Sequence, residues 1–412
     1  MFDINKIRQD FPMIKNNEDL IYFDSSATSF KPQCVVDEII NYYTKKTTNI
    51  HRGDYDLSYS VSKEYEDTRK VIADFLNIED PNCVVYTNGS TSSLNLVAHG
   101  YGEKFLKEND IVLTTQVEHA SNILPWFDVC KKTKAIVKYI PLNDDGTFDL
   151  NKYEECFKEN IKIVSLPQIS NVLGYKYPIK EIVRIAHDHG AIVNVDGAQS
   201  VPHMKVDVKD LDCDFLSFSS HKMLGPSGIG VLYGKKGLLE IMDPYFLGGD
   251  SNARFDNCGN ITLKNIPYKF ESGTPCIEGV LGLNKAIKYL QEVGMNNIEA
   301  YGKELTDYFM DKLSKLDNVI VYNKASDSGI VTFNVKNVFA QDAASYFNKK
   351  GIAVRSGSHC AKILVNILGV SDTVRASLYL YNTKEEIDKF VEIIKETTLE
   401  KCVDSVLWWI KK

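Results

Sequence analysis

An α/β fold is predicted, with a mostly parallel seven-stranded sheet in a large domain and a smaller α+β domain beside it. Three observations predict it. Between residues 82 and 234, short β-rich runs alternate with helical patterns, the signature of parallel βαβ units covered on both faces. The length, 412 residues, suits one large lobe and one smaller one at ~100–200 residues per domain. After Pro275 the alternation gives way to longer helical patterns with only a few strand-like runs.

The strands of the large domain are read at 84–87, 111–114, 135–140, 161–166, 191–195, 215–218 and 230–233. A helix is expected over 178–186, with Pro178 at its first position, Ile182, Ile185 and Ala186 on one face, and Gly190 as its stop. Beyond 275 come a helix through Leu290, strands at 330–335, 352–355 and 374–380, and a closing helix from Thr383. The large domain is taken as 21–275, and the small one as 1–20 with 276–412. The apolar end Val406-Leu407-Trp408-Trp409-Ile410 is expected to dock on the small lobe, with a partner surface as the alternative.

Composition bounds the function. Apolar residues are 44% and charged residues 25%, as in a water-soluble globular protein. A net charge of −7 supplies no basic field for a nucleic acid backbone. No run reaches the ~18–20 apolar residues of a membrane span, and no apolar leader follows Met1, so a cytoplasmic location is expected. The nine cysteines form no C-x-x-C pair, which argues against a disulfide framework and a thiolate metal site.

Five groups of residues carry chemistry. Lys222, in Ser219-Ser220-His221-Lys222, leaves the apolar strand at 215–218, where a desolvated amine is suited to imine formation. Asp196, in Asp196-Gly197-Ala198-Gln199, stands 26 residues earlier at the end of the strand at 191–195, where open α/β sheets bind ligands. A carboxylate there suits a protonated pyridine nitrogen, though an Asp capping a turn is the plainer alternative. Thr87-Asn88-Gly89-Ser90-Thr91-Ser92 leads into a helix starting near Ser92, an anion-binding arrangement unless these hydroxyls are ordinary caps. His119 could stack on an aromatic cofactor and relay protons near neutral pH. Cys360, in Arg355-Ser356-Gly357-Ser358-His359-Cys360-Ala361, sits on a loop expected to be mobile and exposed, with His and Arg neighbours favouring its thiolate.

Together these residues resemble the class V aminotransferase family of PLP-dependent enzymes (fold type I), and within it the group II cysteine desulfurases of the SufS/CsdA type. Tyr22-Phe23-Asp24-Ser25-Ser26-Ala27, His51-Arg52-Gly53, Ser170-Asn171-Val172-Leu173-Gly174 and Phe270-Glu271-Ser272-Gly273-Thr274-Pro275 carry the likeness too. The resemblance implies pyridoxal 5'-phosphate on Lys222, with Asp196 at the ring nitrogen, Gln199 at the ring oxygen and His119 stacked. It implies a phosphate held by Ser90, Thr91, Ser219 and His221, with Thr274 from the partner of a homodimer. Asn171, Arg355 and Arg375 would serve the substrate, L-cysteine. Cys360 would take the sulfur as a persulfide and pass it to an acceptor protein of the SufE/SufU type for iron–sulfur cluster assembly. The chain departs from the family pattern at Ser92, Ala120, Asp250-Ser251-Asn252 and Ile363. A selenocysteine lyase, another PLP β-lyase or aminotransferase, and a non-catalytic PLP-binding scaffold are the alternatives.

Overall fold

The structure, a computed structural model, describes residues 2–324 and 326–410, with side chains of 405–410 excluded. A first short strand, Ile21–Tyr22 (β1), precedes seven that build one sheet: Val84–Thr87 (β2), Ile111–Thr114 (β3), Ile136–Tyr139 (β4), Ile161–Pro167 (β5), Ile192–Asp196 (β6), Phe215–Ser219 (β7) and Gly230–Gly234 (β8). Their order is β2-β8-β7-β6-β5-β3-β4. All seven expected strands are present in it. Four of the six pairings are parallel, and β8 runs antiparallel to both of its neighbours. Val84, Val112, Val164, Val193 and Leu216 are fully buried, as strands covered by helices on both faces require.

The antiparallel β8 fixes the geometry of one sheet edge. Its first residue, Gly230, lies opposite both Thr87 of β2 and Ser219 of β7. A Cβ on Gly230 would sit 2.4 Å from Gly89, so glycine is what lets the turn after β2 close over the sheet. The C-terminal ends of β2, β6 and β7 therefore open on the same edge.

Two helix boundaries next to strands of this sheet differ from expectation. Pro178 is the cap before Ile179–Asp188 and not its first helical residue. The helix after β2 begins at Ser90, two residues before the expected Ser92, because Gly89 already serves as its cap. The expected face of Ile179–Asp188 is buried through Ile182, Ile185 and Ala186.

An exposed hairpin, Asn252–Phe255 (β9) with Ile261–Leu263 (β10), leads to the helix Ile277–Val293. The second sheet combines Val319–Val321 (β11), Ile330–Val335 (β12), Arg355–Gly357 (β14) and Thr373–Ser377 (β15) in the antiparallel order β11-β12-β15-β14. Phe309, Phe333, Phe347 and Phe390 pack beneath it. The single strand expected at 352–355 is in fact two. Ile352–Ala353 (β13) pairs with β1, and after Val354 the chain crosses to β15 as β14. The strand expected through 380 ends at Ser377, beyond which Leu378 N–H bonds to Gly329. The closing helix, Lys384–Lys395, opens on a capping box formed by Thr383 and Glu386. A further helix, Leu399–Ile410, follows it; how the side chains of the tail pack lies outside the described residues.

Candidate active site

The sheet edge and the second sheet together enclose a cleft of about 440 Å³ lined by Asn88 to Ser92, His119, Asn171, Asp196, Gln199, Ser219, His221, Lys222, Arg355, Cys360 and Arg375. Twelve of the thirteen residues singled out from the sequence meet there. Thr274 does not. It is exposed and lines a neighbouring hollow, which shares Asn88 and Ser92 with the cleft.

Lys222 ends a single 3-10 turn immediately after β7. Burial pushes its amine down to about 8, assisted by the guanidiniums of Arg375 and Arg355 and opposed by Asp196. Asp196 ends β6 and is buried, with Oδ1 accepting from the Ala198 N–H at 2.9 Å. Desolvation raises the affinity of that carboxyl for its proton, and the Lys222 charge opposes this. A cationic ligand nitrogen against Asp196 would oppose it further. Gln199 donates from Nε2 to the Ser26 carbonyl at 3.0 Å, while its buried Oε1 has no partner in the protein.

At the mouth of the helix Ser90–Val97, the Ser90 N–H donates to Ser219 Oγ at 2.7 Å, and the two hydroxyls lie 2.8 Å apart. Thr91 Oγ1 is 2.7 Å from Ser121 Oγ. Hydroxyls and a helix N-terminus converge here as an anion requires. His119 caps the helix Ala120–Thr133, its Nδ1 accepting from the Ser121 N–H at 3.1 Å. Burial and Lys222 push His119 down to about 4. At neutral pH it is an uncharged ring, a form that suits stacking on an aromatic cofactor.

Arg375 is buried on β15, directly across from Arg355 on β14. Asp24 bridges the two guanidiniums, at 3.3 Å from Arg375 and 3.2 Å from Arg355. Arg375 Nη1 donates to the Asn171 carbonyl at 2.9 Å, and its buried Nε has no partner in the protein. Sequence reading assigned Asp24 no role; its place in a matching stretch was the one available signal.

Cys360 is exposed and lines the cleft within electrostatic reach of Lys222 and Arg375. One expectation about its loop needs correcting. His359 is no cationic neighbour: its buried ring donates from Nε2 to the Thr373 carbonyl, and burial with Arg375 pushes it down to about 3. The loop is tied to the large domain at two points. Ala120 N–H donates to the Cys360 carbonyl at 2.7 Å, and Asn171 Nδ2 to the His359 carbonyl at 2.9 Å.

These residues fit pyridoxal phosphate. A lysine amine, a buried carboxylate, an orphaned amide oxygen and an anion cradle line one cleft, one for each functional group of that cofactor. Among the described residues, no group of three or more His, Cys, Asp or Glu could hold a metal ion, and no helix is long and apolar enough to cross a membrane.

Comparison with known proteins agrees. The family described as aminotransferase class-V matches residues 21–390. A protein of Halalkalibacterium halodurans named a probable cysteine desulfurase is 45% identical over 396 residues, covering 95% of this chain and 97% of that one. The crystal structure of the cysteine desulfurase CsdA from Escherichia coli superposes with a TM-score of 0.90 at 34% identity, covering 98% and 99% of the two chains. The apo cysteine desulfurase of Thermococcus onnurineus NA1 gives 0.91 at 37% identity, covering 95% and 97%.

Proposed function

Since the chain belongs to the class V aminotransferase family, as a PLP-dependent cysteine desulfurase, we propose that Lys222 and Cys360 divide the reaction between them. The observation that carries this is their meeting in one cleft from different sheets, one a depressed amine and the other an exposed thiol. Pyridoxal phosphate, when bound, supplies an electron-poor ring that stabilises negative charge left at a substrate Cα. Lys222 Nζ, Asp196, Gln199, His119, Ser90, Thr91, Ser219 and His221 would hold it.

Arg375 and Asn171 seat the substrate carboxylate, with the unpartnered Arg375 Nε as an available donor and Arg355 at the rim. Lys222 Nζ, neutral in an appreciable fraction near pH 7 because its pKa is only about 8, removes the Cα proton. Cys360 Sγ, as thiolate, attacks the substrate sulfur. The new S–S bond forms as the C–S bond breaks, its electron pair stays with the carbon skeleton, and protonation there completes alanine. The net reaction, L-cysteine plus Cys360–SH giving L-alanine plus Cys360–S–SH, balances without an external oxidant.

The same reading extends to a homodimer in which Thr274 reaches the partner's phosphate site; its exposure beside the cradle supports this. The division into a large domain over 21–275 and a small one from 1–20 and 276–412 belongs to it as well; two apolar cores support two lobes, but Ile7, Phe11 and the helix Ile277–Val293 pack in the larger core and Phe23 in the smaller, so the cores do not follow those boundaries. The exposure of Cys360 supports delivery of the persulfide to a SufE/SufU-type acceptor for iron–sulfur cluster assembly, and nine free cysteines support a cytoplasmic setting. Incubation with L-cysteine followed by an alanine assay tests the central step. Alanine is expected from the unsubstituted protein and none from Lys222→Ala; equal yields from both would sink the assignment.

A further inference from the structure

The cysteine loop reaches the cleft in a backbone conformation that side-chain-bearing residues rarely adopt. His359 and Cys360 are successive residues at φ 51° and 57°. In that region Cβ crowds the following carbonyl oxygen, so two such residues in a row persist only where their surroundings hold them. Here the restraint comes from elements that follow strands of the large sheet. The first helical N–H after β3, that of Ala120, donates to the Cys360 carbonyl at 2.7 Å. Asn171, in the turn after β5, donates from Nδ2 to the His359 carbonyl at 2.9 Å. Asn171 is itself fixed, because Arg375 Nη1 donates to its carbonyl at 2.9 Å. A side-chain amide has two N–H donors, and His359 uses one of them.

We propose that Asn171 is a positioning residue for Cys360, holding the cysteine loop by the His359 carbonyl with one N–H while the other meets the substrate carboxylate. One side chain then sets both the seat of the substrate and the approach of the thiol that takes its sulfur. The departure at Ala120 leaves this arrangement intact, since residue 120 contributes only its backbone N–H. The inference rests on Cys360 as the sulfur-accepting thiol, but its test requires no turnover.

Holoenzyme without cysteine is treated with iodoacetamide, and alkylation is followed by peptide mass spectrometry at Cys360, with the other exposed thiols, Cys34 and Cys258, as internal references. Asn171→Ala deletes the donor; Asn171→Asp keeps the shape but turns an acceptor toward the His359 carbonyl, and a retained cofactor absorbance band confirms that it is folded. Release of the loop is expected to speed Cys360 alkylation at least threefold relative to the references in both variants. A role confined to the substrate carboxylate would leave that ratio unchanged, and any smaller or opposite change in folded Asn171→Asp overturns the proposal. Failure of the desulfurase reading shows separately, as absence of alanine from the unsubstituted enzyme.

Discussion

A lysine takes up a carbonyl group only as the neutral amine, and burial makes that form accessible at Lys222 by lowering its pKa from 10.5 to about 8. Because the folded value is depressed, the neutral fraction grows as pH rises through 8 and saturates above it. Capture of pyridoxal phosphate by the apoprotein should therefore accelerate with pH up to about 8 and then level off. Stopped-flow absorbance would show this, whereas an ordinary lysine would keep accelerating toward its own pKa of about 10.4. Lys222 and Asp196 were legible in the sequence because residue type and strand-end position together imply a site. Asp24 was not, since its partners Arg355 and Arg375 lie 331 and 351 residues away. His359 was misread for a related reason: adjacency in sequence says nothing about where a ring points, and this one turns into Thr373.

Elements behind the site are held by buried polar groups whose loss should be measurable. Arg69, buried on the helix Asp56–Leu76, pairs with Glu271 at 2.8 Å and donates to the Val84 carbonyl at 2.7 Å. Glu271 in turn accepts from the Tyr86 N–H at 2.7 Å, so the pair grips β2 just before the phosphate-binding turn. Arg69→Met leaves a buried carboxylate uncompensated and should cost about 3–5 kcal/mol, read from the urea midpoint. Glu118, between β3 and the helix Ala120–Thr133, accepts from Thr115 and Asn122. Desolvation pushes it from 4.5 up to about 8. Over that interval the folded protein keeps a proton that the unfolded chain has released, so stability falls as pH rises, by up to about 1.4 kcal/mol per pH unit. Glu118→Gln removes this slope. Denaturation of both proteins at about pH 5 and about pH 8 should show the variant gaining on the parent at the higher pH, and a constant difference would refute the assignment. At this scale the seven strands of the large sheet were readable because strands of a largely buried sheet are short apolar runs bounded by turns. The split at Val354 was not, because one extended run can change partners between sheets without any break in its pattern.

The whole molecule brings an amine from one sheet and a thiol from another into a shared cleft, with Thr274 in the adjoining hollow. In a homodimer, Thr274→Ala should speed loss of pyridoxal phosphate by about tenfold, the effect of one charge-assisted hydrogen bond. Size-exclusion chromatography with light scattering should give twice the chain mass. A monomer that retains cofactor equally well with and without Thr274 would remove the partner from the site. The two-lobed plan was legible from length and from the change of pattern after Pro275, but the mutual placement of Lys222 and Cys360 was legible only through the family resemblance, because residue patterns do not say how separate sheets pack. That placement is the central claim, and persulfide mapping tests it most directly. After exposure to L-cysteine without reductant, intact-peptide mass spectrometry should find one added sulfur atom on the peptide bearing Cys360, with alanine formed in equal amount and neither product in Cys360→Ser. A persulfide on another cysteine, or alanine formed undiminished by Cys360→Ser, would contradict the account.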